Sequence, residues 1–552
     1  MTWLARRRYC AGAAGRPTLD GTAVPSRRCP GSTGARVMRG RNTTPGATHS
    51  ERTTRRPRVT TALMVLVAAG VLLALGVTQV PVAGSSADAR VGAGALTRPT
   101  LAWKTCPGSR AAQCARLAVP LDWARPQGKR ISLAIARHRA DDPQHRVGTL
   151  FFNPGGPGDG GVAYVEHAAQ VFSPALLARF DLVAMDPRGV KGSTPIRCDL
   201  PVAPADVTLF PRTAKEFRKL RDYGPRLGRS CVKASGPLVG HVDTISVARD
   251  HDALRRALGE KQVSWLGISY GTQVATNYAA LFPRHTRAMV LDGALEHSGS
   301  EVAMLATEIL AAEDAFDRFA SWCATADACA LKGQDVGAVY DDLVARADRH
   351  PIPVPGALRP VTGADIRMGT PRGLLFKEPG VFGPELSWAA LSRGIKAAVE
   401  GDASMFALPP VRVAAPLAER LSIACMDFVS EIRTWAQMQQ RLQLGRQLAP
   451  HLQGATEQWE ILRCMGWPVK AANPFRRLDV RDVPTLIVNA THDPSTAYTW
   501  ALGLAGQIRG SDLLTREGDG HTSFFAAAGC AHDAIEAYLV RPHAPADRVC
   551  TS

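Results

Sequence analysis

Three side chains far apart in this sequence could together cleave an acyl bond. Ser269 stands between two glycines in Gly267-Ile268-Ser269-Tyr270-Gly271, the G-x-S-x-G spacing that sets a serine on a tight strand-to-helix turn with its hydroxyl above a sheet. Glycines are expected on either side because a Cβ there would collide with the neighbouring strand or helix. A serine hydroxyl is a weak nucleophile at its free pKa and needs a base, itself oriented by an acid. In the chain order that accompanies this turn, the acid follows the serine and the histidine comes last. "VPTLIVNA" runs into "THDPST", and "DLLTRE" into "GDGHTS", so Asp493 and His521 each fall in the loop after a strand. The expected roles are nucleophile for Ser269, orienting acid for Asp493 and general base for His521.

Other residues compete for these roles. Asp292, in "VLDGAL", also ends a strand and is the rival acid, with turn capping as its alternative use. Asp519 is read as shaping the turn before His521, and His492 as a solvated loop residue. His241, His251 and His285 are read as surface or structural. Acyl transfer also needs donors for an oxyanion, and "FFNPGGPGDGG" at 151–161 is glycine-rich enough for backbone to approach substrate. Amides of Gly155 or Gly156, with that of Tyr270, are the expected oxyanion hole. A phosphate-cradling loop is the rival, but the stretch has no Walker lysine and Pro157 interrupts its glycines.

Positioning such groups requires strands that end at one edge of a sheet. "VGTLFFN", "FDLVAMD", "VSWL", "RAMVLDG" and "VPTLIVNA" are nearly continuous apolar runs, as parallel strands buried on both faces are. "ISLAIARHR" (131–139) alternates as a strand does. "RDHDALRRALGE", ending at Gly259, and "QVATNYAALF", stopped by Pro283, read as helices between them. The alternation predicts an open, mostly parallel α/β sheet. From residue 296 to about 415 the pattern becomes helical, with apolar residues at 302, 305, 309, 316 and 319. This stretch is expected to be a mainly helical cap inserted over the ligand-binding edge.

The formal charge of +17 is concentrated at the start: residues 1–60 hold thirteen arginines against Asp20 and Glu51. That leader carries +11 of the total, so the body is mildly basic and nucleic acid is not an expected partner. The uncharged run Thr61–Val77 follows Arg55, Arg56 and Arg58, the layout of an export signal, with cleavage expected after Gly84 or Ala89. An uncleaved anchor is the alternative, and either places the body outside the cytoplasm. Met38 is a more ordinary start, which would leave residues 1–37 untranslated. The expected organisation is a leader at 1–60, the signal and cleavage zone at 61–89, a first core part at 90–295, the cap at 296–415 and a second core part at 416–552. Ten of the twelve cysteines lie in the body, an even number that reads as disulfides in an exported chain. Pairing of successive neighbours is expected. Metal binding is disfavoured, since CxxC and HExxH spacings are absent from the sequence, and no cofactor is expected.

From about Cys114 to Cys550 the sequence resembles the secreted bacterial tripeptidyl aminopeptidases, serine peptidases of the α/β-hydrolase fold related to proline iminopeptidases. The resemblance rests on "LAVPLDWARP", "NPGGPGDGG", "DLVAMDPRGVKGSTPIRC", "GISYGT", "SIACMD", "CMGWP", "VPTLIVNATHDPST" and "GDGHTS". It implies a triad of Ser269, Asp493 and His521, an oxyanion loop at Asn153–Gly161, neighbour-paired cysteines, and a cap that admits peptides by their free N-terminus. For that last task Glu296, Glu301, Glu308, Glu313 and Asp314 are the acidic candidates. Two departures bear on substrate fit: Asp159 and Gly160 replace a small residue and serine, and Ala497 follows Thr496 where the family has proline. An exported esterase or lipase-like hydrolase with the same triad is the alternative reading. A catalytically silent envelope-binding protein is the third.

Overall fold

The computed structural model describes residues 101–408, 415–526 and 529–551; the stretches read from the sequence as a leader and an export signal lie outside them. Ten strands form one sheet: β1 (Lys104–Thr105), β2 (Ala112–Pro120), β3 (Arg130–His138), β4 (Gly148–Asn153), β5 (Phe180–Met185), β6 (Val263–Ile268), β7 (Thr286–Asp292), β8 (Thr485–His492), β9 (Asp512–Asp519) and β10 (Val549–Thr551). Their order is β1-β2-β3-β5-β4-β6-β7-β8-β9-β10. Pairing is parallel from β5 through to β10, while β1, β2 and β3 make an antiparallel edge that joins β5. The apolar runs are strands because both their faces are covered. Phe151 packs in one core with Val183, Trp265, Leu291 and Ile487, and its neighbours Leu150 and Phe152 pack in the other with Leu182, Leu266, Val290 and Val488. Each such side chain, fully withdrawn from water, contributes roughly 1.5–3 kcal/mol.

Helices cover the two faces. After β4 come α1 (Val162–Glu166), α2 (Ala168–Val171) and α3 (Pro174–Arg179); between β5 and β6 come α4 (Ala214–Ser235) and α5 (Thr244–Leu258); α6 (Tyr270–Leu281) follows β6. Gly259 closes α5 in the left-handed region at φ 80°, the role its position predicted. Between β7 and β8 run α7 (Glu301–Thr325), α8 (Val336–Arg349), α9 (Gly363–Leu374), α10 (Trp388–Val399), α11 (Ala415–Asp427) and α12 (Trp435–Leu448), then a 3-10 turn over Gln458–Cys464. The helical insertion therefore extends past the boundary expected near residue 415, and β8 begins only at Thr485. The 416–484 stretch has no apolar run that both faces of a sheet could bury. Its α11 is instead tied to the 3-10 turn by Cys425–Cys464. Finally α13 (Tyr498–Ala505) follows β8, and α14 (Cys530–Val540) precedes β10.

The other disulfides are Cys106–Cys114, Cys198–Cys231, Cys323–Cys329 and Cys530–Cys550, each joining successive cysteines as expected. Among the described residues no helix is long and apolar enough to cross a membrane.

Candidate active site

Strand order sets β4, β6, β7, β8 and β9 side by side, and their ends and the loops leaving them carry the residues singled out in the sequence. Ser269 follows β6 with φ 56° and ψ −128°, a left-handed conformation that a non-glycine residue holds only when its surroundings enforce it. Enforcement is visible in the glycines. A Cβ on Gly267 would stand 2.6 Å from the Gly271 carbonyl oxygen, and one on Gly271 would stand 2.2 Å from that of Asn153. The Ser269 amide donates to the Asp292 carbonyl at 2.9 Å, and its hydroxyl has no hydrogen-bond partner among the described residues.

Asp493 and His521 meet. Nδ1 of His521 lies 2.8 Å from Oδ2 and 3.0 Å from Oδ1 of Asp493. The carboxylate, only 1% exposed, also accepts from the Ser495 and Thr496 amides and the Thr496 hydroxyl, each at 2.8 Å. Burial alone would raise its pKa, but the His521 charge and these donors outweigh burial and hold it below the ordinary carboxylate value. For His521 burial works downward, and the Asp493 charge and hydrogen bond reverse it, leaving the imidazole above its ordinary value. The rival Asp292 faces elsewhere: it accepts from the Ser523 amide at 2.8 and 2.9 Å and the Phe524 amide at 2.7 Å. It thus caps the backbone just beyond His521, and burial pushes it up to about 6. Asp519 pairs with Lys377 at 2.9 Å and with Arg318, and His492 with Asp314 at 2.7 Å. The His521 amide donates to the Leu375 carbonyl at 2.6 Å, so the helical insertion holds this loop from above.

The glycine loop after β4 divides its two candidate amides. Gly155 donates its N–H to Asn153 Oδ1 at 3.0 Å and sits against the turn, where a Cβ would meet the Tyr270 nitrogen at 2.9 Å. Its amide is therefore occupied, which corrects the expectation for Gly155. Gly156 and Tyr270 line one cavity with Ser269, and their amides have no hydrogen-bond partner among the described residues. Gly158, at φ +90°, touches the backbone of Arg420, 3.1 Å from where its Cβ would stand. That contact brings α11 against the loop.

The same cavity is lined by Glu308 of α7, Arg420 of α11, and Glu457 and Glu460 at the 3-10 turn. Arg420 lies 2.9 Å from Glu457 and 3.9 Å from Glu460. Glu308 is 1% exposed, accepts from the Gln458 amide at 3.0 Å, and is pushed up to about 8 by burial. Of the five acidic candidates it alone lines this cavity. Glu301 pairs with Arg441 at 3.0 Å, Glu313 caps the amides of His451 and Leu452 at 2.8 and 3.1 Å, Asp314 pairs with His492, and Glu296 accepts from Gln507 at 3.0 Å. Sequence reasoning missed Arg420, Glu457 and Glu460 because they fall in the stretch assigned to the core. The Cys425–Cys464 bridge was the available signal that this stretch folds back beside α11.

Beneath the turn lies a second polar group that the sequence did not single out. Asp427, fully buried at the end of α11, accepts from the Thr244 hydroxyl at 2.6 Å, the Thr244 amide at 3.1 Å, Asn473 Nδ2 at 3.0 Å and the Tyr270 hydroxyl. One carboxylate thus joins α5, α6 and α11, and it does so through the residue that follows Ser269.

Comparison with known proteins identifies the family of the chain. A family described as alpha/beta hydrolase fold matches residues 148–346, and one described as TAP-like protein matches residues 450–550. Serine protease Hip1 of Mycobacterium tuberculosis is 30% identical over 89% of this chain and 97% of its own length. Tripeptidyl aminopeptidase of Streptomyces lividans is 29% identical over 82% of this chain and 86% of its own. Carboxylesterase B of M. tuberculosis is 31% identical over 84% of this chain and 91% of its own. The chain is a serine hydrolase of the α/β-hydrolase fold and belongs to the family of tripeptidyl aminopeptidases and the serine protease Hip1.

Proposed function

We propose that the protein is an exported aminopeptidase that releases short peptides, tripeptides in the first instance, from free N-termini through an acyl-enzyme on Ser269. The observation that carries this reading is that three carboxylates, Glu308, Glu457 and Glu460, stand against one guanidinium, that of Arg420, around the cavity into which Ser269 opens. An ammonium group is what such a wall complements, and an ester's acyl chain is not. The five disulfides support export, since such bonds persist in oxidising compartments.

His521 takes the proton from the Ser269 hydroxyl as the oxygen attacks the scissile carbonyl, and Asp493 holds the imidazole tautomer and stabilises its charge. The carbonyl oxygen becomes an oxyanion that accepts from the Gly156 and Tyr270 amides. Collapse of the tetrahedral intermediate breaks the C–N bond, and His521 returns its proton to the leaving amine. Water, deprotonated by His521, then attacks the acyl-enzyme and restores Ser269. Glu308 and its acidic neighbours hold the substrate ammonium and so set the distance from the N-terminus to the cut.

The esterase reading is favoured by one observation, the 31% identity to a protein named Carboxylesterase B. Hydrolysis of a tripeptide anilide with a free N-terminus, its acetylated twin and a short-chain nitrophenyl ester separates the two. Preference for the free tripeptide, lost in Ser269→Ala, is the expected result. Activity on the ester alone would overturn the peptidase reading and leave the nucleophile in place.

A further inference from the structure

Helix α11 meets the serine turn at two places. Arg420, Leu421 and Ala424, with Phe428 just past its end, line the cavity at Ser269. Arg420 and Asp427 are about two helical turns apart and so share one face of the helix. At the first, the Arg420 backbone packs against Gly158, just beyond the Gly156 amide. At the second, the Asp427 carboxylate accepts from the Tyr270 hydroxyl, at the far end of the residue whose amide is the other oxyanion donor. Asp427 stands where a carboxylate is doubly disfavoured. It is fully buried, which is costly for an unpaired charge, and it is the last residue of α11, where the helix dipole repels an anion. Hydrogen-bond donors offset this: Oδ1 accepts from the Thr244 amide at 3.1 Å and Asn473 Nδ2 at 3.0 Å, and Oδ2 from the Thr244 hydroxyl at 2.6 Å and from Tyr270. The Thr244 and Tyr270 hydroxyls are 2.6 Å apart. Asp427 is also anchored through the backbone, since its carbonyl oxygen lies 2.9 Å from His297 Nε2 and the Asn473 amide donates to the Met426 carbonyl at 3.1 Å. Asp427, Thr244, Tyr270 and Asn473 leave no buried side-chain N or O atom unpaired, and a buried polar network satisfied in this way holds one geometry.

We propose that Asp427 is a positioning residue for the oxyanion hole, so that one face of α11 fixes both donors: the Tyr270 amide through Asp427, and the Gly156 amide through Arg420 and Gly158. The inference rests on acyl transfer by Ser269 and on the donors assigned above, not on which acyl group is cleaved. Ser269 holds a left-handed conformation, and such a turn keeps its aim only where its neighbours over-determine it. Capping of α5 accounts for the two bonds from Thr244 and leaves the bond from Tyr270 without a use. The helical insertion thereby serves the chemistry of any acyl substrate, besides meeting a peptide's N-terminus.

The test compares the wild-type chain with Asp427→Asn, Tyr270→Phe and the double variant. Asparagine matches aspartate in shape, but its amide nitrogen must face either the two N–H donors or the two hydroxyls. Removing one oxyanion donor costs about 10²–10³ in kcat and displacing one costs less, so Asp427→Asn is expected to lower kcat about thirtyfold on the tripeptide anilide with KM within about twofold. The tripeptide aldehyde, which adds to Ser269 and puts its oxygen in the hole, should lose about the same factor in affinity, while the tripeptide product loses less than about twofold. In the Tyr270→Phe background the Asp427 change should cost less than about twofold further, because its route to the hole is already cut. A purely structural Asp427 would give additive losses, equal losses for aldehyde and product, or a KM that rises as much as kcat falls, and any of these overturns the proposal. If Asp427→Asn does not fold, Tyr270→Phe decides alone, since Asp427 keeps its Thr244 and Asn473 donors there: an unchanged kcat and aldehyde affinity would overturn the proposal. Turnover of the nitrophenyl ester alone would refute the peptidase reading, and the same ratios, read with that ester and a short-chain aldehyde, would still test Asp427.

Discussion

Replacing Glu308 by Gln should weaken recognition of a free N-terminus in a pH-dependent way. The side chains match in shape, and the glutamine oxygen can still accept from the Gln458 amide, so the change removes a charge and little else. With Glu308 pushed up to about 8, roughly one molecule in eleven carries it ionised at pH 7, and expelling the proton to meet an ammonium costs about 1.4 kcal/mol. A hydrogen bond to a charged group contributes about 1.5–3 kcal/mol, so the surplus lost in the variant at pH 7 is about 1 kcal/mol, roughly fivefold in kcat/KM. At pH 8 the ionisation cost falls to about 0.4 kcal/mol, a gain of about fivefold for wild type. A peptide amine titrating near about 7.8 takes back about half of that. The gap between wild type and variant should therefore widen two- to threefold from pH 7 to pH 8 on a free tripeptide anilide and stay near unity on its acetylated twin. Stability should move the other way. The folded protein holds the Glu308 proton up to about pH 8, whereas the unfolded chain releases it near the ordinary value of 4.5. Between those limits wild-type stability falls as pH rises, and the variant's melting temperature should gain on wild type across that window. Equal losses on both substrates, or a gap that ignores pH, would refute the reasoning.

Asp493→Asn should lower kcat by about four orders of magnitude without unfolding the protein. Asp292→Asn should lower thermal stability, by about 1–3 kcal/mol, while changing kcat less than about tenfold, and kinetics with melting curves on the two variants assigns the acid. Since the Asp493 charge holds His521 above its ordinary 6.5, and only the neutral imidazole accepts the serine proton, kcat/KM should fall as pH drops through that raised value; in Asp493→Asn the acid limb should shift to lower pH. Gly293→Ala, at φ +66° and with its Cβ 3.0 Å from His521 Cε1, should displace the imidazole and cost about a hundredfold in kcat, read against an unchanged fold by circular dichroism. Tyr270→Phe removes the hydroxyl bonded to Asp427 and should lower kcat, measured per titrated active site, more than it changes KM.

Much of the site was legible because each part is a local event. The turn at Ser269 needs glycines on both sides, the acid and base follow apolar runs, and an α/β sheet brings strand ends to one edge whatever lies between. Less legible was anything that depends on which distant segments meet. Asp292 and Asp493 both end strands, and only the direction each carboxylate faces separates a backbone cap from the partner of His521. Gly155 and Gly156 are adjacent and alike in sequence, yet Asn153 occupies the amide of the first. The acidic wall was half visible: Glu308 was one of five candidates on a helical stretch, while Glu457 and Glu460 sat beyond a boundary drawn where apolar periodicity faded.

By itself the sequence determined the strand and helix alternation, the glycine-flanked serine turn, and the order in which Ser269, Asp493 and His521 follow their strands. All of these follow from steric and hydrophobic rules that act over a few residues or from a fold whose strand ends must converge. Tertiary structure alone decided which carboxylate holds the imidazole, which amides stay free, and that Arg420, Glu457 and Glu460 face Ser269. Hydrogen bonds and ion pairs form between whichever groups burial brings within about 3 Å, and that proximity is set by packing across more than a hundred residues of helical insertion.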